Sequence, residues 1–126
     1  VWIEGPYGVF TADQVTRDHV TLIAGGVGVT PIRALLEEIE QGKRIDIIWR
    51  ASTEQDLMLR DEVEELAALH GAKVHYNVRV LRDLVPDIKN SDVFLCGPGA
   101  IVEQAVACCR ALGVPKQHIH DEAFAY

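Results

Sequence analysis

Cysteine is scarce: Cys96, Cys108 and Cys109 are the only three in 126 residues, and no two form a Cys-x-x-Cys pair. An odd number without a paired framework speaks against a disulfide-stapled secreted domain and for a reducing compartment such as the cytoplasm. Basic residues are also in deficit, with a formal net charge of -7, which removes the broad positive footprint that nonspecific nucleic-acid binding requires. A global sum does not forbid a local pocket for one phosphate. The longest uncharged run, between His19 and Arg33, is glycine-rich and falls short of the ~20 apolar residues of a membrane span. The first residues, VWIEGPYG, lack a basic stretch followed by an apolar one and so do not read as a secretory signal. Low-complexity segments and internal repeats are missing too.

What is present is enough apolar content, 48%, for the core of one domain. A chain of this length buries roughly two thirds of the surface it exposes when unfolded. Residues 20–38, VTLIAGGVGVTPIRALLEE, organise the rest. Val20, Leu22, Ile23 and Ala24 have the continuous hydrophobicity of a strand buried on both faces of a parallel sheet. Gly25, Gly26 and Gly28 permit a sharp turn and close approach of a ligand to bare backbone. Thr30 is placed to cap a helix whose first position is Pro31. Ile32, Leu35, Leu36 and Ile39 then recur on one helical face. A glycine turn that opens a helix offers free N–H groups and a positive dipole end to an anion, typically a phosphate.

Further along, Gly42 reads as a helix stop and Ile45, Ile47, Ile48 and Trp49 as a second strand. A polar loop over 51–56 leads to a helix marked by Leu59, Val63, Leu66 and Ala67, wet on the side of Glu62, Glu64 and Glu65 and ended by Gly71. Residues 73–80 read as a third strand, 81–86 as a short helical turn, and 93–96 as a fourth strand entering Gly97-Pro98-Gly99. Ile101, Val102, Ala105, Val106 and Leu112 give the next helix its apolar face, with Gly113 and Pro115 as its stop and Cys108 and Cys109 as packing residues. His118, Ile119 and His120 form a final short strand, with residues 121–126 after it. The alternation predicts an α/β three-layer sandwich around a five-stranded parallel sheet, Rossmann-like. Both glycine turns follow strands directly and so share the carboxyl edge, where such sheets bind ligands.

The turn is not Gly-x-Gly-x-x-Gly: Pro31 holds the third position, in Gly26-x-Gly28-x-x-Pro31. With Cys96-Gly97-Pro98 and the closing Glu122-x-Phe124, the chain resembles the pyridine-nucleotide domain of the ferredoxin–NADP⁺ reductase superfamily. Trp49-Arg50-Ala51-Ser52 and His118-x-His120-x-Glu122 look closest to bacterial ferric-reductase-like members, relatives of NADPH oxidases. The resemblance implies the strand order 3-2-1-4-5. It also implies that 1–18, including Gly5-Pro6-Tyr7-Gly8, is the end of a flavin-binding barrel plus a connector, with the NAD(P)H-binding domain in 19–126. The barrel and its Arg-x-(Tyr/Phe)-(Ser/Thr) signature for FAD would then lie upstream in a longer flavoprotein.

By the same resemblance, Gly26, Gly28 and Thr30 would hold the pyrophosphate by backbone N–H groups and the Thr hydroxyl, with Pro31 fixing the helix start, and Gly97, Pro98 and Gly99 would pass close to the nicotinamide ribose and phosphate. Cys96 would stand beside the nicotinamide ring, Glu122 near the hydride-transfer position, and Phe124 against the flavin. Arg50, Ser52 and Arg79 are the candidates for the adenosine 2′-phosphate. The position after the second strand carries no acid before Glu54, which favours NADPH over NADH. Electrons would pass through FAD to a one-electron acceptor such as ferredoxin, haem, a ferric chelate or oxygen, in the cytoplasm or on its face of a membrane. His118 and His120 alone do not make a metal site. A different class of reading is a nucleotide-sensing regulatory module built on the same cradle. A flavodoxin-like carrier of FMN fits less well, because the turn is Gly-Gly-Val-Gly and not Ser/Thr-rich.

Overall fold

The computed structural model describes residues 10–26, 29–50, 59–76 and 85–124. Five strands, β1 (His19–Gly25), β2 (Arg44–Arg50), β3 (Lys73–Tyr76), β4 (Asp92–Pro98) and β5 (Ile119–Phe124), form one sheet in the order β3-β2-β1-β4-β5. Every pairing is parallel, as expected when each strand returns through a crossover. The crossovers carry α1 (Val29–Glu38), α2 (Arg60–His70) and α3 (Gly99–Ala111).

Burial explains the architecture. Val20, Leu22, Ile45, Ile47, Val93, Phe94 and Leu95 are all buried, so the central strands have no wet face. One core layer joins Val20, Leu22, Ala24, Ile47, Trp49, Phe94 and Cys96 to Ile32, Leu35, Leu36, Val63 and Ala67 of α1 and α2. The other joins Ile48, Val93 and Leu95 to Cys109 of α3, with Val85, Ile88 and Val114. Burying each large aliphatic side chain contributes roughly 1.5–3 kcal/mol, which outweighs the weak propensity of the β-branched residues for helix or strand.

Helix ends depart from the sequence reading in instructive ways. The first helix begins at Val29, so Thr30 and Pro31 lie inside its first turn and Thr30 is not the cap. Pro31 is tolerated there because the first four N–H groups of a helix have no internal acceptor. That helix stops at Glu38, leaving Gly42 (φ 96°) to turn the chain into β2. Gly71 and Gly113, with φ of 66° and 98°, end α2 and carry the chain out of α3. In each case two amides close on the last carbonyls: Gly71 on Ala68 and Ala72 on Ala67, then Gly113 on Arg110 and Val114 on Cys109. Cys109 is fully buried but Cys108 faces solvent, so only one of the pair packs.

The amino edge is held by polar groups. The Asp92 carboxylate is fully buried and accepts the backbone N–H groups of Thr16 (2.6 Å) and Arg17 (2.8 Å). His118 Nδ1 lies 2.8 Å from its other oxygen. Burial pushes the Asp92 acid up, but the His118 contact and the two amides outweigh it and hold it below the ordinary carboxylate range. Two strands away, buried Asp46 contacts His19 at 2.8 Å and His75 at 3.3 Å. These contacts fasten the connector before β1 and tie the starts of β1, β2 and β3 together.

Candidate functional site

The carboxyl edge is built from strand ends. In register, Tyr76 of β3 stands beside Trp49 of β2, Trp49 beside Ala24 of β1, Ala24 beside Cys96 of β4, and Cys96 beside Glu122 of β5. Neighbours in a parallel sheet point to the same face, so this row crosses the whole sheet on its α1 and α2 side. Cys96 and Glu122 were expected at the site from sequence, and the pairing puts them side by side. The sequence reading makes the closing segment a short strand at 118–120, with residues 121–126 after it. Instead β5 runs from Ile119 to Phe124, and His118 ends a preceding 3₁₀ turn. Pairing with β4 gives the backbone of this segment hydrogen-bond partners that a solvated tail would lack.

The two glycine turns meet backbone to backbone. A methyl group on Gly97 would lie 3.1 Å from both the nitrogen and the oxygen of Gly25. On Gly25 it would meet Ile101 Cγ2 at 3.3 Å and Pro98 Cδ at 3.4 Å. Gly97 is thus confined by the backbone of β1, whereas at Gly25 the neighbours are side chains that would need to give by a few tenths of an ångström. Gly26, at φ 56°, occupies the left-handed region that glycine enters without cost. Gly99 opens α3 facing empty space, with nothing within 4 Å of a methyl group placed there. The starts of α1 and α3 therefore flank a small-residue cleft at the carboxyl edge, and their dipoles favour negative charge there.

The side chains around this cleft have distinct chemistry. Burial and the nearby charge of Glu122 push the Cys96 thiol up to about 12, so it is a neutral thiol and not a thiolate nucleophile. Glu122 is half-buried and Arg50, in register with Gly25, is exposed at the end of β2. Behind Glu122 on the same face, His120 stacks on Phe94 with centroids 4.7 Å apart, and burial holds the imidazole below its usual value. Of the remaining residues expected here, Thr30 is half-buried and Pro31 buried in the first turn of α1. Pro98 stands in register with Phe124 at the end of β4 and β5. Gly28, Ser52 and Arg79 lie outside the described residues, as do the loop at 51–56, the turn at 81–84 and the end of the expected third strand at 77–80.

Sequence reasoning missed Trp49 and Tyr76 as parts of this edge. The Trp49 indole N–H donates to the Gly26 carbonyl at 3.0 Å, and its ring lies 6.0 Å from that of Tyr76. The Tyr76 hydroxyl donates to Glu64, and the Arg60 guanidinium sits 4.7 Å above its ring. Burial, then the bond to Glu64, raises the phenol to about 12. Aromatic residues at the ends of two adjacent strands were the available signal. Among the described residues no cluster of three or more His, Cys, Asp or Glu side chains could hold a metal ion. No described helix is long and apolar enough to cross a membrane.

Comparisons with known proteins point to one family of oxidoreductase domains. Residues 22–80 match the family model described as an oxidoreductase NAD-binding domain. The propane 2-monooxygenase reductase component of Rhodococcus jostii is 30% identical over 97% of the chain, which spans 40% of that relative. The glycine betaine monooxygenase reductase subunit of Pseudomonas aeruginosa is 25% identical over 97% of the chain, which spans 39% of it. The flavohemoglobin of Malassezia yamatoensis, solved with FAD and haem, superposes with a TM-score of 0.74 at 27% identity, covering 94% of this chain and 35% of that one. The chain thus spans less than half the length of these relatives.

Proposed function

Because the chain belongs to the NAD-binding domains of the ferredoxin-reductase-like superfamily, we propose that it binds NADPH in preference to NADH and presents the hydride to FAD on an upstream barrel domain. The observation that carries this reading is the Cys96–Glu122 pairing beside two abutting glycine turns. In this reading Gly26, Gly28 and Thr30 bind the pyrophosphate at the start of α1, with Pro31 fixing the start of the helix. Gly97, Pro98 and Gly99 leave room for the nicotinamide ribose at the start of α3. Arg50, Ser52 and Arg79 take the adenosine 2′-phosphate, for which a guanidinium is well suited.

The nicotinamide supplies the hydride and the flavin converts it into single electrons; the chain supplies orientation and electrostatics. Cys96 offers a small neutral thiol that can lie against a flat ring without adding charge. Glu122 adds a carboxylate where positive charge develops on the oxidised nicotinamide. Phe124 would face the flavin, since a flat aromatic ring stacks at little rotamer cost. The parent would be a cytoplasmic or membrane-face flavoprotein reductase that passes electrons to ferredoxin, haem, a ferric chelate or oxygen, closest in its motifs to ferric-reductase-like members. A sensor module would not need Cys96 and Glu122 brought together, which favours the enzyme.

The deciding measurement is equilibrium titration of this domain, alone and joined to its upstream flavin domain, with NADPH and NADH. NADPH should bind more tightly in both forms. Clear preference for NADH would remove the roles given to Arg50, Ser52 and Arg79, and absence of binding to either would end the proposal.

A further inference from the structure

Trp49 is the one large aromatic that reaches from the core into the β1–α1 turn, among the described residues. It is fully buried, yet its indole nitrogen spends its single N–H on a backbone carbonyl at 3.0 Å, that of Gly26. The contact is not one that local sequence would supply, since Gly26, just past the end of β1, is 23 residues from Trp49 of β2. Its register partner is Ala24, whose small side chain leaves space over β1 that the indole can occupy. On its far side the ring is backed by Tyr76 at 6.0 Å, and Tyr76 is itself held by Arg60 and Glu64. The indole is therefore fixed from behind and can act as a stop.

Gly26 needs such a stop. Its left-handed φ of 56° is a conformation glycine enters and leaves freely, so a turn made of glycines gains no rigidity from its own side chains. An indole that holds the Gly26 carbonyl from within the core fixes one face of the turn that leads into α1, where an anion-binding turn must present its donors. A pre-ordered donor costs less on binding than one that must be ordered by the ligand.

We propose that Trp49 is a positioning residue that pre-orders the glycine turn for the diphosphate of the nicotinamide cofactor through its hydrogen bond to the Gly26 carbonyl. The inference rests on the reading of this turn as the pyrophosphate site. Trp49 touches no reacting group, and its effect is on the donors that do the binding.

The test replaces the N–H without removing the ring. Trp49→Phe keeps an aromatic side chain against Tyr76, and substitution of Trp49 by the isostere 3-benzothienylalanine keeps the shape while putting sulfur in place of the N–H. Binding of NADPH, NADH, ADP and adenosine is followed by NMR titration, with thermal unfolding as the check on the fold. Loss of one neutral hydrogen bond predicts affinities about fivefold to tenfold weaker for the three diphosphate ligands. Adenosine, which has no phosphate, should change less than twofold. Equal weakening of all four ligands would make Trp49 a core filler and overturn the proposal, as would unchanged affinity of the isostere for ADP. If the unsubstituted protein binds ADP no better than adenosine, the pyrophosphate reading of the turn fails first, independently of Trp49.

Discussion

Gly97 of β4 lies so close to Gly25 of β1 that a single added carbon would sit 3.1 Å from the backbone nitrogen and oxygen of Gly25. The two turns of the site are thus one packed unit, and a side chain at Gly97 would require the backbone at Gly25 to give by a few tenths of an ångström.

Gly97→Ala should accordingly cost about 1–3 kcal/mol in denaturant unfolding, the range for overpacking a filled interior. Gly99→Ala is the contrasting case, because its new methyl group meets open space. Its stability should stay within about 0.5 kcal/mol of the parent. NADPH affinity should nevertheless fall, because the proposed ligand fills that space, and an unaltered affinity would remove Gly99 from the cleft.

Thiol labelling separates the three cysteines. Burial lifts both Cys96 and Cys109 to about 12, whereas Cys108 is exposed. Under iodoacetamide at pH 8 in native buffer, mass spectrometry should find Cys108 alkylated and the other two unmodified until the chain is unfolded. Rapid native alkylation of Cys96 would show a thiolate there and contradict its neutral role.

Glu122→Ala should leave NADPH binding within a few-fold of normal and slow flavin reduction in the full-length protein by about tenfold or more, as loss of an electrostatic group felt mainly in the transition state does. Stopped-flow reduction under anaerobic conditions reads both numbers. A reduction rate equal to that of the parent would take Glu122 out of the transfer step.

Acid stability should depend on Asp92. Its carboxyl is held below the ordinary range because the His118 contact and the amides of Thr16 and Arg17 overcome the cost of burial. A folded value lower than the unfolded one means the stabilisation is complete above about pH 4 and is lost as pH falls through the depressed value. Asp92→Asn should lose about 2–3 kcal/mol at neutral pH, the scale of hydrogen bonds to a charged acceptor. Its unfolding curve against pH should be flatter on the acid limb. An acid limb as steep as the parent's would place the titrating group elsewhere.

Much of the sheet was readable from residue pattern because its central strands are buried on both faces. Runs such as Val20–Ala24 and Val93–Cys96 admit few other fates, while the strand order 3-2-1-4-5, which the family resemblance implied, is the order found. The helix face Ile32, Leu35, Leu36 and Ile39 is buried as its spacing implies. What pattern could not supply was the edge. The β5 segment, with its alternating polar residues, looks like a tail in isolation, and only pairing with Cys96–Pro98 makes it a strand. Asp92 looks like an ordinary polar residue before a strand, since its partners lie 75 and 76 residues away. Trp49 read as strand filler for the same reason: its indole partner, Gly26, lies 23 residues away in the turn after β1. At the site, the glycines and Cys96-Gly97-Pro98 were visible because their chemistry is local, whereas the Cys96–Glu122 pairing depends on tertiary register.

β5 lies at the margin of the sheet and is also the last strand in chain order. During synthesis β1 to β4, with both glycine turns, leave the ribosome before the segment that carries Glu122. A nascent or clipped chain without β5 would still contain the groups assigned to holding the cofactor, but not the carboxylate assigned to the transfer step. It would also expose the unpaired side of β4, a row of free amides and carbonyls open to association with other chains. Completion of the proposed site and protection from aggregation therefore depend on the same six residues.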